Sequence, residues 1–356
     1  MLIYIAIFVF TVCAVCLASI ARDKLISVLC VACVFISMVL LAGLRDYSVG
    51  TDSVNYVRSF ERVAFFSEGI NEASQTGEFG YWAINWLVRS LSDQYIFLFL
   101  TIAMIIGVCY QSAILKYSYN PTISFYAFIS LGFYTFFFNA ARQGLACAVC
   151  ALSVGPLIKG EFKKYLIVVL TATLFHKTAI IMLPLYFLLR MKSSVYTTLL
   201  FFVLGLLSAL SLSFVVESIS QFDSRFQGYA TAGERGGVVM SIFNILFWLF
   251  FYLFRKWVAL YRKQYYDIFL NMLFFSAIVS LMSLLFRINP SGVLRLTMYF
   301  NIAAIFLLPI CYESFANRGS KAIFISVSGL FLFAYFFMTT SSFGHLVPYK
   351  LNSMLL

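Results

Sequence analysis

The 356-residue chain is 62% hydrophobic, holds 41 Phe and 22 Tyr, and has only 11% charged residues, against roughly a quarter in soluble globular proteins. That composition excludes a water-soluble domain, whose interior has no room for so much aromatic surface. The formal net charge of +11 does not point to nucleic acid either. The Lys and Arg residues are scattered through short loops and form no stripe with interleaved aromatics.

Apolar runs at residues 2–20, 25–44, 96–115, 195–216 and 322–340 approach or reach the ~20 residues that cross a hydrocarbon core of about 30 Å. Backbone polar groups in lipid must be satisfied internally, which makes these runs helices. The alternating ten-residue segments of a membrane β-barrel are absent. The first run has no basic leader and is expected to be a retained span, not a cleaved signal. The expected fold is all-α: a polytopic membrane protein of about ten helices, some short or broken, in one transmembrane domain over 1–356.

Basic residues of short loops mark the cytoplasmic side. Arg22 and Lys24 follow the first run, so the N-terminus is expected outside and the second run delivers Arg45 to the outer face. An extracytoplasmic loop then covers about residues 45–94. Its polar part holds six of the fourteen acids: Asp46, Asp52, Glu61, Glu68, Glu72 and Glu78. Within the loop, residues 80–91 are too short to cross and are expected at the outer interface. The chain returns inward at Lys116, goes out to residues 139–143, and comes back to Lys159, Lys163 and Lys164.

Residues 165–189 decide the parity. As one span they would put Arg255, Lys256, Arg262 and Lys263 outside, against the charge rule. As two short arms meeting near His176 and Lys177 they keep that cluster, Arg190 and Lys192 inside, at the cost of tilt or local thinning. A broken hairpin also lets His176 sit deep beside a polar cavity. Beyond it, residues 221–237 and 287–295 are expected outside, Arg318 and Lys321 inside, and the 343–356 tail outside.

Three CxxC pairs, Cys13/Cys16, Cys30/Cys33 and Cys147/Cys150, lie inside apolar helices. A thiolate is disfavoured there while a neutral thiol packs as a small apolar group, so they imply packing and no metal.

The outer ends of several helices share Arg45, Asp46, Asp52 and Tyr56; Glu78 and Tyr81; Asn139, Arg142 and Gln143; His176 and Lys177; and Arg287, Arg295 and Tyr299. Ionisable groups at membrane depth are expensive and therefore functional candidates. Arg58, Arg62, Glu61, Glu68 and Glu72, spread along a polar segment, fit a solvated face better. Arg142 and His176, each set in an apolar stretch, do not. Arginine clamps phosphate with a planar fork, and a nearby His, Asp or Glu can take a proton from a hydroxyl nucleophile. Tyr56, Tyr81, Trp82 and Trp86 suit either a sugar-stacking wall or an interfacial aromatic belt. Phosphate-loop, dinucleotide, serine-hydrolase and zinc-protease motifs are missing.

Five segments carry a family resemblance: RDYSVGTDSVNY (45–56), EFGYWAINWLV (78–88), FFFNAARQGLACAV (136–149), FHKTAIIMLPLY (175–186) and PYK (348–350). In order and spacing they resemble the EpsG-like family, bacterial polysaccharide polymerases related to the Wzy-type O-antigen and capsule polymerases. The likeness is looser in the C-terminal third, which holds Arg295 and Tyr299. It implies a glycosyltransferase, kin to integral-membrane glycosyltransferases, that polymerises undecaprenyl-pyrophosphate-linked oligosaccharide repeat units at the outer face of the bacterial cytoplasmic membrane. The expected partners are that lipid-linked oligosaccharide, membrane lipid, a chain-length regulator and a flippase, with no cofactor and no nucleic acid.

On that basis Arg142, supported by Arg295 or Arg45, is expected to bind the donor pyrophosphate. His176 or Asp52 is the general base, a choice the sequence leaves open. Gln143, Glu78 and Tyr56 orient sugar hydroxyls, with Lys177 and Tyr299 beside the substrate. Gly50 and Gly80 are expected in tight turns. The rivals are a flippase or transporter of lipid-linked oligosaccharide, which favours inverted repeats and a charged path through the midplane, and a polysaccharide ligase.

Overall fold

Asp23, Asn120 and Asn317 each stand immediately before a helix, and their side chains accept hydrogen bonds from Leu25, Ile123 and Ser320 N–H respectively. Such caps satisfy the orphan donors of a helix N-terminus and fix where it begins. The structure, a computed structural model, describes residues 1–63, 70, 74–210, 237–286 and 290–352. The expectations for Glu68, Glu72, Arg287, residues 211–216 and 221–236 and the last four residues fall outside that set.

The described helices are α1 (Leu2–Ile20), α2 (Lys24–Gly43), α3 (Ser53–Arg62), α4 (Phe79–Leu91), α5 (Tyr95–Tyr117), α6 (Pro121–Ser130), α7 (Phe133–Asn139), α8 (Ala141–Ala151), α9 (Val154–Lys159), α10 (Phe162–Thr173), α11 (Met182–Leu189), α12 (Val195–Leu210), α13 (Val238–Phe254), α14 (Leu260–Leu285), α15 (Pro290–Ser314) and α16 (Arg318–Ser342). Among the described residues nine helical stretches are long and apolar enough to cross a membrane, α6–α7 and α8–α9 each counting as one. Two shorter apolar stretches, Lys177–Leu189 and Val195–Leu207, come in addition. The chain is an all-α, multi-pass membrane protein. Helix α4, 13 residues long, is not one of the spans.

The helices group into two compact units. The first comprises Met1–Pro156, Glu161–Ile180 and Phe315–Leu356; the second comprises Leu157–Gly160 and Ile181–Ser314.

Within the first unit, contacts fix the direction of every long helix. Helix α1 begins where the Tyr4 hydroxyl donates to Leu346 O (2.9 Å) and ends where Ser19 meets Thr122 (3.2 Å). Helix α2 runs back to the start of α5, where Tyr47 packs edge-on against Tyr95. Helix α5 returns to Tyr117, which fills the space beside Gly155. Arg22, Lys24, Lys116, Lys163, Lys164, Arg318 and Lys321 therefore gather at one end of this unit. The 44–56 segment, Glu78, 139–143, His176 and the C-terminal tail gather at the other.

The segment 165–189 is broken, as the charge pattern favours. Helix α10 stops at Thr173, and a 3-10 turn over Lys177–Ile181 precedes α11. Arg190, just after α11, donates to the carbonyls of Leu157 and, at 3.2 Å, Ile158. The chain that leaves the Leu157–Gly160 turn through α10 thus comes back to it. A continuous helix over that stretch would separate its ends by about 40 Å.

The second unit is held by α14. Asp267 accepts two bonds from Arg255, from Nε at 2.5 Å and Nη2 at 2.7 Å, and a third from Ser193 N–H at 3.2 Å. One turn on, Asn271 Nδ2 donates to Leu189 O and Met191 O. Further along, Asn244 bridges Ser280 and Asn301. Polar bonds of this kind hold helices together where lipid supplies no hydrophobic drive.

Candidate functional site

A carboxylate, a guanidinium and an imidazole from three separate elements meet in the first unit. Glu78 immediately precedes α4, and its side chain is 1% exposed. Its Oε2 accepts from Arg142 Nη1 at 2.9 Å, and its Oε1 lies 2.6 Å from His176 Nδ1. Arg142 belongs to the first turn of α8, and His176 lies in the break between α10 and the 3-10 turn. Arg142 and His176 remain about a quarter exposed (24% and 25%), so both reach the surface of the unit while the carboxylate behind them does not.

Backbone contacts fix this geometry. Gly80 N–H donates to Leu174 O at 2.8 Å, two residues before His176. A Cβ on Gly80 would stand 3.0 Å from that same carbonyl oxygen. Gly80 is therefore a close-approach residue inside α4, which corrects the expectation of a turn; with no side chain it lets α4 lie against the broken segment. Gly50 does occupy a turn, with φ +98°.

The Tyr56 hydroxyl accepts the N–H of Ala141 (2.8 Å), one of the orphan donors at the start of α8. Tyr56 packs against Tyr81, and the Arg142 guanidinium lies 5.0 Å over the Tyr81 ring. Asp52 stands at the start of α3, half-buried and within electrostatic reach of Tyr56.

Charge follows the contacts. Burial raises the Glu78 carboxyl, but the hydrogen bond and charge of His176, and then those of Arg142, outweigh it and hold the group below its ordinary value. An ionised carboxylate only accepts, so His176 Nδ1 carries the proton of their shared bond and Nε2 is left as the outward ring nitrogen. Burial, followed by the nearby Tyr81 and Asp52, raises the Tyr56 phenol above its ordinary range. It stays neutral at physiological pH.

Of the residues expected from sequence, Glu78, Arg142, His176 and Tyr56 come together. Gln143 is buried (5%) beside Arg142 in α8, and Lys177 is half-buried next to His176. Arg45 is placed differently. It is 2% exposed, its guanidinium lies 4.1 Å and 4.3 Å from the ring centres of Phe99 and Phe138, and it donates to Ala42 O. Burial lowers its pKa to about 10, so it stays charged inside an aromatic cage. Arg295 is exposed and Tyr299 fully buried, both on α15 of the second unit. Trp82 and Trp86 stack with ring centres 6.2 Å apart. Among the described residues no group of His, Cys, Asp and Glu is arranged to hold a metal, and the eight cysteines are free thiols.

Sequence inspection missed the pairing itself, in which Glu78 serves His176 and Arg142. Only the EFG spacing hints at it, by placing a small residue two positions after the acid.

A family model described as the EpsG family matches residues 28–351. The chain belongs to the EpsG family. Members of the EpsG family are Wzy-like polysaccharide polymerases, and all three residues of the ion cluster lie inside the matched span. No curated protein matches the chain, and no solved structure does either.

Proposed function

We propose that this EpsG-family chain is a glycosyltransferase that joins undecaprenyl-pyrophosphate-linked oligosaccharide repeat units, with its site on the outer face of the bacterial cytoplasmic membrane. The observation that carries it is the buried Glu78 carboxylate binding His176 and Arg142 at once, both still partly exposed at the surface. Sidedness is supported by the basic residues at the opposite end of the same unit.

The chemistry needs one group to accept a proton and another to hold an anion. Glu78 fixes the imidazole with Nδ1–H inward, so Nε2 receives the proton of the acceptor hydroxyl. The hydroxyl oxygen then bonds to the anomeric carbon of the donor. The bond from that carbon to the pyrophosphate oxygen breaks, and the leaving pyrophosphate keeps the electron pair. Arg142, with one Nη engaged by Glu78, presents its remaining N–H groups to the developing charge. Between the two proposed bases, the Glu78 pairing favours His176. Asp52, half-buried at the start of α3 and near Tyr56, suits a positioning role. Arg45, enclosed by Phe99 and Phe138, is better suited to holding the fold than to binding substrate. Delivery by a flippase and length control by a regulator are the partners this activity calls for.

Purified protein in bilayer nanodiscs, supplied with lipid-linked repeat units, tests the proposal. A polymerase makes a ladder of products, a ligase caps only a foreign acceptor, and a flippase changes sidedness without changing mass. No ladder from well-folded protein overturns the proposal.

A further inference from the structure

The C-terminal tail returns across the outer end of the first unit. Asn352 N–H donates to Leu44 O, and Asp46 N–H donates to Lys350 O, each at 2.9 Å. Gly50 N–H donates to His345 O at 3.1 Å, and the Tyr349 hydroxyl donates to Leu41 O at 2.7 Å. Residues 344–352 are thus pinned to the 44–50 segment by main-chain bonds, an arrangement that neither the polymerase chemistry nor the ion cluster explains.

The two segments close around one amide. Asn139 Oδ1 accepts from Thr51 N–H at 2.6 Å and from Thr51 Oγ1 at 3.1 Å. On one side Gly50, with φ +98°, faces Phe138 O and Asn139 Oδ1, where a Cβ would come within 2.8 Å and 3.0 Å. On the other side Gly344, with φ +74°, lies so close to Asn139 Nδ2 that a Cβ would stand 2.1 Å away. Both glycines adopt a left-handed backbone that other residues rarely take, and both leave room for this side chain. Asn139 is the last residue of α7. Its neighbours Ala140 and Ala141 lead to Arg142, and Tyr56 takes the Ala141 N–H from the third side.

We infer that Asn139 is a positioning residue for the anion-binding Arg142, locked by Thr51 and by the C-terminal tail. The inference rests on the proposed role of Arg142 and names what sets its aim. The guanidinium sits on the first turn of α8, whose start is a sharp reversal after α7 with Ala140 at φ −147° and ψ 58°. Nothing covalent holds that reversal. The amide hub bonds it to the outer turn at Thr51 and packs it against Gly344 of the tail, so Arg142 meets Glu78 and the ligand in one orientation. Such preorganisation is where loss of a remote contact reduces function without loss of fold.

Binding of polyprenyl pyrophosphate without sugar, measured on the full chain in nanodiscs, tests this with Asn139→Leu, Asn139→Asp, Arg142→Ala and the double variant Asn139→Leu/Arg142→Ala. Arg142→Ala is expected to weaken binding by about tenfold or more, and Asn139→Leu by about three- to tenfold. The double variant is expected to bind no more weakly than Arg142→Ala alone, because Asn139 acts through Arg142. Asn139→Asp, which keeps the oxygen that Thr51 bonds, is expected to bind more tightly than Asn139→Leu. Additive losses in the double variant, or no loss in Asn139→Leu, overturn the inference while leaving the polymerase proposal intact. If Arg142→Ala binds as well as the natural protein, the donor role of Arg142 fails instead. Should Asn139→Leu not fold, Thr51→Val removes one of the two bonds to Oδ1 from an exposed position. A loss that vanishes in the Arg142→Ala background then supports the inference, and no loss overturns it.

Discussion

Glu78 and His176, 98 positions apart in sequence, share a hydrogen bond of 2.6 Å whose acceptor is almost wholly buried and whose donor is not. The relationship is directional. The acid cannot reach a substrate except through the imidazole or the guanidinium it holds, so its contribution is to fix the orientation of both. Replacing Glu78 by Gln preserves size but puts an amide against Nδ1, which no longer selects one tautomer. Polymer formation in a membrane assay is expected to fall roughly 10²–10⁴-fold, with protein abundance near normal. Retained activity would remove His176 from the proposed base role.

Acid stability follows from the same carboxylate. Its folded-state pKa is depressed below the ordinary 4.5, because His176 and Arg142 together outweigh burial. A depressed acid stabilises the folded state above its unfolded pKa, and the contribution is lost as pH falls through the folded value. The melting temperature of the purified protein should therefore decline on acidification below about pH 4.5, and Glu78→Gln should show a shallower decline over that window. Parallel curves would mean that the carboxylate is not linked to folding.

Replacing Arg142 by Lys keeps a cation but loses the planar fork that spans Glu78 and a phosphate. Turnover should drop by about 10²-fold or more, with the loss concentrated on the donor side. Initial rates at varied donor concentration, holding acceptor saturating, would separate this from a general folding defect.

Much of the fold was legible because membrane physics is restrictive. Lys and Arg placement favoured a turn-back within 165–189, and Arg190 returns to the carbonyls of Leu157 and Ile158. Arg142 and His176 stood out because an ionisable group in an apolar stretch must have a reason. The pairings were not legible. Nothing local to Glu78 distinguishes an acid that contacts sugar from one that orients an imidazole, since the difference lies in where Gly80 lets α4 rest. Arg45 looked like Arg142 in sequence, both arginines expected at the outer face beside Phe-rich helices. Only packing shows one enclosed between Phe99 and Phe138 and the other facing out.

Gly80→Ala tests that packing. In an ordinary helix interior this change is favourable by about 0.5–1 kcal/mol. Here the new methyl would stand 3.0 Å from the Leu174 carbonyl oxygen, tighter than ordinary contact, and backbone on both sides has little room to give. The expected outcome is a loss of ~1–2 kcal/mol in place of a gain, with activity reduced further than stability because the shift separates Glu78 from His176. Thermal unfolding and ladder formation measured on one preparation would show the two effects together. A stabilised, fully active variant would mean that α4 is not held by this approach.

Asp267→Asn supplies the contrast, a substitution that acts on folding and not on chemistry. In the second unit the Asp267 carboxylate, 7% exposed, binds Arg255 in a two-pronged pair and also takes the Ser193 N–H. Removing one partner of a largely buried pair leaves the other charge uncompensated, which costs about 3 kcal/mol once partial exposure of Arg255 is allowed for. The amount of protein recovered from membranes should fall several-fold. The specific activity of what remains should stay within about twofold of the natural protein, since a folded-state defect lowers the amount of enzyme and leaves the barrier unchanged. Normalising ladder formation to the quantity of monodisperse protein checks it. A drop in specific activity as large as that of Glu78→Gln would place Asp267 in the reaction itself.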